Sequence, residues 1–582
     1  MNKKLNLNYV SEIIGEDYKS WNKGDYILIQ SQTGTGKTFA ILGSKNSEGF
    51  IDKIDNKTLL YLCNRSELKS QILIDLIKKF DEYNLIKKDN DTNKENIFEL
   101  DNIECDINKL NSLKTVRNIT VETYQSVSTK ILNYDYLKNE KYDEMRNFDY
   151  IVCDECHYYL TDSSFNNSID VVFTELIRNR YANTIKIFMS ATIDEIEDAI
   201  VAGLEYNNKL YNVDNKLHKI STGIDYSYLH TNYFVNEKDI VTTIKNDKTD
   251  NKWLIFVKSK KEGNFIKEEL QALNIDTEFI MSSTPKNNKE KRNIREKSKF
   301  DCRVLVSTKC LDNGVNIKDD SVKNLVVLSY DKTTFIQEVG RLRLDINNAR
   351  EINLYIPTFN KRIFKGLINK YDKKIEQTKE YETDLSENKI QFKRKYDRKL
   401  NYLYNDLFFT DKEGKYEINT LGYSRLYKDK NFAEKMIMKF EGGIEMEDGT
   451  IEKFDCDYKD KFAYVKEQLK WLGLEEAFSE DNLIEMVADD VIVDNLKNFL
   501  EDAYENNERF TKDFFLNKMN EFLEDDNIRL AINKIDNGKS RSKGMKLYNK
   551  LFEVLELDFV VGSNRFKENG KLVTKWIVVS NK

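Results

Sequence analysis

Proline, histidine and cysteine are scarce in this chain, at 2, 3 and 7 of 582 residues. With only three histidines, and with no second CxxC or HxxxH to partner Cys153 and Cys156, a zinc site is poorly supplied. The odd, scattered cysteines do not make a disulfide framework and read as reduced thiols. The shortage of proline goes with heavy use of Lys, Asn, Ile and Tyr; it reads as AT-rich coding and carries no functional information. A run of about 18 apolar residues, enough to cross a bilayer, is absent. The opening MNKKLNLNYVSEIIGED has basic residues with no apolar stretch behind them, so a cytoplasmic location is expected.

What is present suits a soluble globular protein: 40% hydrophobic and 33% charged residues. At about 100–200 residues per domain, the length predicts three or four domains. The net charge of −7 argues only weakly against a nucleic-acid partner. Phosphate recognition depends on local Lys and Arg clusters and on N–H groups at helix starts, which a whole-chain sum averages away.

Short apolar runs recur, each followed by a turn signal and a helical pattern: Tyr26–Ile29, Leu59–Leu62, Tyr150–Cys153 and Ile185–Met189. A second series runs through Trp253–Val257, Val304–Val306, Leu325–Leu328 and Ile352–Ile356. Such alternation predicts βαβ units around parallel sheets, hence two α/β lobes over 1–225 and 226–360. The join is expected in the polar stretch around Ile220 to Val235, and a Lys/Asn/Asp-rich insertion near Asn84–Asn118 decorates the first lobe. From Asn360 the pattern turns charged and helical, giving a helical accessory region at 361–480 and an α+β domain at 481–582. Phe462–Leu472 reads as an amphipathic helix closed by Gly473. Ser540–Leu557 reads as a helix, followed by a hairpin with an Asn569-Gly570 turn. A winged-helix module, with Lys539, Arg541, Lys543 and Lys546 near its recognition helix, and a plain packing domain share that pattern.

Chemistry begins at Ser31-Gln-Thr-Gly-Thr-Gly-Lys-Thr38, set between a strand and a helix. Gly34 and Gly36 let the backbone wrap phosphates together with Ser31, Thr33 and Thr35, Lys37 neutralises β/γ charge, and the Thr38 hydroxyl can hold Mg²⁺. Asp154-Glu-Cys-His157 follows the Tyr150–Cys153 strand directly. There Asp154 suits the metal and Glu155 the general base that polarises water.

In this order, with Ser190-Ala-Thr192 behind them, these sites resemble the DExH branch of the superfamily 2 helicases. The DECH spelling is similar to that of the Dicer and viral-RNA-sensor group. The resemblance implies two tandem RecA-like lobes, ATP and Mg²⁺ as cofactors, and a nucleic-acid partner. Ser190 and Thr192, with His157, would couple the ATP site to strand movement, while Arg65, Thr123 and Thr308 would touch backbone phosphates. In the second lobe Phe256-Val-Lys-Ser259 resembles motif IV, Ser307 to Asn316 motif V, and Gln337-Glu-Val-Gly-Arg-Leu-Arg343 motif VI. By that likeness Gln337, Arg341 and Arg343 serve hydrolysis across the cleft, and Gly314 and Asn316 lie toward the nucleotide. Asn316 stands where many DEAD-box members have Asp near the ribose. The second motif VI arginine stands one position earlier than in the commoner Q-x-x-G-R-x-x-R, a spacing that also occurs in the DECH group. A glutamine does not occur before Gln30, so the adenine-reading Q motif is missing.

The implied function is an ATP-dependent helicase or translocase, with DNA favoured over RNA and a phage or mobile-element setting. Alternatives are a nucleic-acid-gated switch without processive unwinding and a scaffold with a decayed motor. Intact Lys37, Asp154, Glu155 and Arg341 speak against decay.

Overall fold

Unbroken apolar runs make strands that can be buried on both faces, the condition for a helix-covered parallel sheet. Two such sheets form in the computed structural model. It describes residues 3–132, 148–161, 169–179, 183–285, 287–309, 316–396, 403–404, 406–410, 415–446, 449–453, 459–484, 490–523, 544–555, 557–568 and 571–580.

The first sheet contains β1 (Tyr26–Gln30), β2 (Leu59–Cys63), β3 (Thr115–Val116), β4 (Ile119–Thr123), β5 (Tyr150–Asp154), β6 (Ile185–Ser190) and β7 (Leu217–Ser221). Their order is β3-β4-β2-β5-β6-β1-β7, parallel except for the β3–β4 pair. The second contains β8 (Leu229–Phe234), β9 (Lys252–Phe256), β10 (Thr277–Ile280), β11 (Val304–Ser307), β12 (Val322–Val327) and β13 (Ile352–Pro357), all parallel, in the order β8-β13-β12-β9-β11-β10. These are two RecA-like lobes. The register pairs Cys63 with Thr123 and Gln30 with Ser190, while Asp154 faces Met189, so all the first-lobe motifs leave one edge of the sheet. Loops beyond the carboxyl ends of parallel strands are where ligands bind in such sheets.

β7 and β8 flank the crossing between lobes and were not legible as strands. Leu217-His-Lys-Ile-Ser221 and Leu229-His-Thr-Asn-Tyr-Phe234 lie at sheet edges, where a strand need not be apolar on both faces. The insertion near residues 84–118 holds an antiparallel hairpin, Ile97–Leu100 with Ile103–Asp106.

After the second lobe, the helices Lys361–Thr383 and Thr420–Phe440 lie against each other, with Phe364 between Phe432, Phe440 and Tyr464. Helix Ala463–Leu472 ends at Gly473, whose φ of +65° few other residues tolerate. Its Tyr464 hydroxyl donates to the Ser329 carbonyl at 2.9 Å, fixing it to the second lobe. Two hairpins of three-residue strands, Phe408–Thr410 with Tyr416–Ile418 and Gly443–Glu445 with Ile451–Lys453, interrupt a region that reads as mainly helical. Strands that short carry no detectable period.

The chain divides into compact units at 1–483 and 484–582, so residues 361–483 belong to the unit that holds both lobes. In the second unit, helices Asp490–Glu505, Lys512–Leu523 and Met545–Val554 precede a hairpin of Phe559–Glu568 with Lys571–Ser580. Phe510 bridges to Trp576, and Phe515, Tyr548, Leu551 and Phe552 fill the core. Lys539, Ser540, Arg541, Lys543 and the Asn569-Gly570 turn lie outside the described residues. Among the described residues no helix is long and apolar enough to cross a membrane.

Candidate active site

Where β1 ends, the chain must reverse closely before helix α1 (Lys37–Leu42) starts. Gly34 and Gly36 supply the turn with φ of +100° and +80°, a region costly for any residue with a Cβ. The loop is braced from within and below: the Thr35 hydroxyl donates to the Gln32 carbonyl at 2.8 Å, and the Ser31 N–H to the Ser190 carbonyl at 3.0 Å. Lys37 Nζ lies 3.2 Å from Glu155.

Asp154 is the last residue of β5. Its Oδ2 accepts from the Tyr61 hydroxyl at 2.8 Å, while its Oδ1 is buried without a hydrogen-bond partner. Tyr61, which reads in the sequence as one more core aromatic, has its hydroxyl within reach of the Thr38 hydroxyl as well. It therefore joins the two residues expected to hold a metal. A carboxylate oxygen with no partner, next to a hydroxyl, is an all-oxygen donor set that suits a hard divalent cation. Burial, then the neighbouring Glu155 charge, pushes the Asp154 carboxyl up to about 6.

Glu155 behaves oppositely. Burial acts to raise it, but Lys37, His157 and Arg341 outweigh that and hold its carboxyl down at about 2. It is ionised at neutral pH, as a base must be. Its backbone has φ of +49°, a left-handed conformation unusual for Glu and a local strain at the turn leaving β5. His157 Nδ1 lies 2.9 Å from the Ser190 hydroxyl and 3.4 Å from Glu155, and the Thr192 N–H donates to that same hydroxyl at 3.0 Å. The expected coupling residues His157, Ser190 and Thr192 are thus one connected group. Burial lowers His157 to about 4, with Lys37, Arg341 and Arg425 adding to it against the pull of Glu155, so its ring is neutral.

The second lobe completes the site from across the cleft. Helix α2 (Asp194–Tyr211) follows Thr192 in the first lobe, and helix α3 (Lys332–Val339), capped by Asp331 accepting from the Thr334 N–H, carries Gln337 in the second. Gln337 Nε2 reaches Glu155 at 3.5 Å, and its Oε1 accepts from Arg341 at 3.0 Å. Arg343 donates through Nε to Asn316 Oδ1 at 2.5 Å, so Asn316, expected toward the sugar, here orients an arginine. Burial, then Arg341, lowers Arg343 to about 10, while Glu155 and Asp154 attract it. Gly340 presses on the phosphate loop: a Cβ there would come 2.4 Å from Thr33 Oγ1. Gly314 lies outside the described residues.

Arg65 follows β2, Thr123 ends β4 and Thr308 follows β11, all at the carboxyl edges of the sheets; Thr123 Oγ1 accepts from the Ser126 N–H at 3.0 Å. Gln32 gave no functional signal in the sequence. Its amide pairs with the Asp225 backbone in both directions, at 2.9 and 2.7 Å, tying the phosphate loop to the crossing between lobes.

Fold and site define a two-lobed P-loop nucleotide hydrolase, with Gln337, Arg341 and Arg343 of the second lobe facing the phosphate loop and carboxylates of the first. Residues 4–195 match the family model "Type III restriction enzyme, res subunit", and residues 235–343, ending on the second motif VI arginine, match "Helicase conserved C-terminal domain". The chain carries the core of a superfamily 2 helicase and is a nucleic-acid-dependent ATPase. No curated protein matches it. Among solved structures it is similar to the DEAD-box helicase Mss116 bound to ssRNA and UDP-BeF, with 18% identity, 63% of this chain and 72% of that one covered, and a TM-score of 0.43. Dbp5 of S. cerevisiae, bound to RNA and ADP BeF3, aligns at 18% identity over 61% and 89% of the two chains with a TM-score of 0.37. The Mycobacterium smegmatis helicase Lhr, bound to ssDNA and AMP-PNP, aligns at 13% over 61% and 46% with a TM-score of 0.38.

Proposed function

We propose that the chain is a cytoplasmic motor that moves along or unwinds nucleic acid, DNA in preference to RNA, with hydrolysis gated by closure of its lobes. The observation that carries this reading is the reach of Gln337 from the second lobe to Glu155 of the first, with Arg341 behind it. If the catalytic constellation exists only when the lobes meet, whatever brings them together controls turnover. Asp154 and Thr38 would hold Mg²⁺, which when bound neutralises phosphate charge. Lys37 draws the β/γ-phosphates to the loop. Glu155, ionised and oriented by Lys37 and Gln337, takes the proton from the attacking water. Arg341 and Arg343 stabilise the charge developing on the γ-phosphate. Arg65, Thr123 and Thr308 grip the strand along the carboxyl edges of both lobes.

The DECH spelling and the Arg341–Arg343 spacing support a place beside the Dicer and viral-RNA-sensor group. The preference for DNA, in replication or recombination on a mobile element, rests on the order of elements in the second unit. Among the described residues, one helix, a bridging residue, two further helices and a hairpin suit a winged-helix module that holds duplex, with Lys546 and Lys550 exposed on the Met545–Val554 helix and Arg565 and Lys567 on the hairpin.

An ATPase screen against single- and double-stranded DNA and RNA, paired with strand displacement, tests the reading. DNA-stimulated turnover with displacement is expected. Stimulation by duplex without displacement would favour the switch reading, and RNA-restricted stimulation would overturn the DNA preference.

A further inference from the structure

Helix α4 (Thr420–Phe440) belongs to neither sheet yet is built into both lobes. Its first turn rests on the first lobe: the Thr420 hydroxyl donates to Asp170 Oδ1 at 2.6 Å, and Leu421 is buried in that lobe's core. Its distal half is buried in the second, where Ala433, Met436 and Phe440 share a core with the strands of that lobe. Any change in the angle between the lobes must therefore be carried or resisted by this helix.

Arg425 sits in the second turn of the helix, largely buried. Its Nε lies 2.7 Å from Asp429 on its own helix, its Nη2 3.5 Å from Asp331, and its Nη1 3.7 Å from Glu195. Asp331 is the N-cap of α3, the helix that presents Gln337. Glu195 is in the first turn of α2, and its N–H donates to the Thr192 carbonyl at 3.3 Å. Nη1 is buried with no hydrogen-bond partner among the described residues. One guanidinium is thus held by its own helix while its two free corners stop just short of hydrogen bonding to a carboxylate in each lobe. A planar fork of donors directs separate N–H groups toward two carboxylates in fixed directions, a geometry that an ammonium does not reproduce. Alongside it Lys428 reaches Asp198 at 2.9 Å and Lys332 pairs with Asp194, so the seam carries opposite charges face to face.

We propose that Arg425 is a positioning residue for hydrolysis: a clasp that, as the lobes close on nucleic acid, draws Glu195 beside Ser190–Thr192 and Asp331 at the head of the Gln337 helix into one fixed arrangement. This rests on the closure-gated reading above and adds to it the element that makes closure productive. The carboxylates that Arg425 faces, Glu195, Asp331 and Asp429, are not among the residues assigned to nucleotide or water. The effect of Arg425 is on the fraction of closed molecules whose Gln337, Arg341 and Glu155 are aligned.

The test compares Arg425→Gln and Arg425→Lys in the full-length chain. Arg425→Gln is expected to lower nucleic-acid-stimulated kcat about tenfold while ATP KM and the unstimulated rate stay within about twofold of the parent. Arg425→Lys should fall between, since an ammonium keeps the charge but not the planar fork that faces both carboxylates. Glu195→Gln should reproduce the split, and the double variant should be no worse than Arg425→Gln, the signature of one shared contact. Energy transfer between one label on each lobe, with a non-hydrolysable ATP analogue, should show a smaller closed fraction in Arg425→Gln. Parental closure and rates in that variant, or a joint fall of both rates with the melting temperature, would overturn the clasp. A parent chain indifferent to every nucleic acid would overturn the motor reading instead, and the closure measurement would still decide the clasp.

Discussion

The two lobes bring opposite equipment to the cleft. The first contributes a phosphate loop, an ion pair between Lys37 and Glu155, and a hydrogen-bonded chain from His157 to Thr192, all closed within one sheet edge. The second contributes Gln337, which reaches Glu155 of the first lobe, Arg341, which donates to Gln337, and Arg343, which donates to Asn316. Binding is thus local to one lobe, whereas acceleration is shared. On the closure-gated reading proposed above, a cleft built this way would hold ATP without spending it until the second-lobe groups are brought into place.

The largest break in that comparison should come from Glu155→Gln. With the carboxylate gone from the shared centre, both stimulated and unstimulated hydrolysis should fall by about 10⁴-fold, toward the upper end for a positioned base. Equilibrium binding of a fluorescent ATP analogue should persist. Turnover near the parent rate would move the base elsewhere.

Arg343→Ala attacks the second lobe alone and should remove on the order of 10³-fold of stimulated turnover with little loss of ATP binding. Arg343→Lys should restore little of it, because an ammonium cannot both hold Asn316 and face the γ-phosphate. If Arg341→Ala loses stimulation while Arg343→Ala keeps it, Arg341 is the single finger. Single-turnover kinetics with and without nucleic acid distinguish the cases.

Gly340→Ala tests the contact itself. Its methyl would be driven into Thr33, so full closure should be obstructed and stimulated kcat should drop about tenfold with the unstimulated rate spared. Adding Thr33→Ser, which removes a methyl from the other side, should recover part of the loss.

The smallest effect is one of pH. Asp154 has its folded pKa raised to about 6, above the ordinary carboxylate value, so the stability it contributes is present at low pH and is lost as pH rises through about 6. Asp154→Asn should therefore be more stable than the parent above that pH, by on the order of 1–2 kcal/mol, in thermal melts without Mg²⁺. In the parent chain at limiting Mg²⁺, hydrolysis should fall as pH drops through about 6, and added Mg²⁺ should move that limb lower. A limb that ignores Mg²⁺ would assign the titration to another group.

How much of this was legible in the chain follows from the range of each constraint. The phosphate loop, the carboxylates after β5 and the two lobes are written in short spans, because a left-handed turn needs glycine at a given residue and a buried parallel strand needs consecutive apolar side chains. Edge strands β7 and β8 escaped notice because one missing neighbour relaxes that demand. Tyr61 was hidden for the opposite reason: a tyrosine in an apolar run has the composition of a core residue, and only the packing shows its hydroxyl between Thr38 and Asp154.

By itself the sequence determined that two parallel-sheet lobes form, that the first binds a nucleoside triphosphate, and that arginines stand ready in the second. Local sterics, hydrophobic patterning and residue chemistry suffice for that. Only the tertiary structure decided that Gln337 meets Glu155, that Gly340 lies on Thr33, that Asn316 holds Arg343, and that Arg425 stands between carboxylates of both lobes. Those meetings join residues far apart along the chain, and their distances depend on how two rigid bodies and a helix pack, which no local rule of the chain specifies.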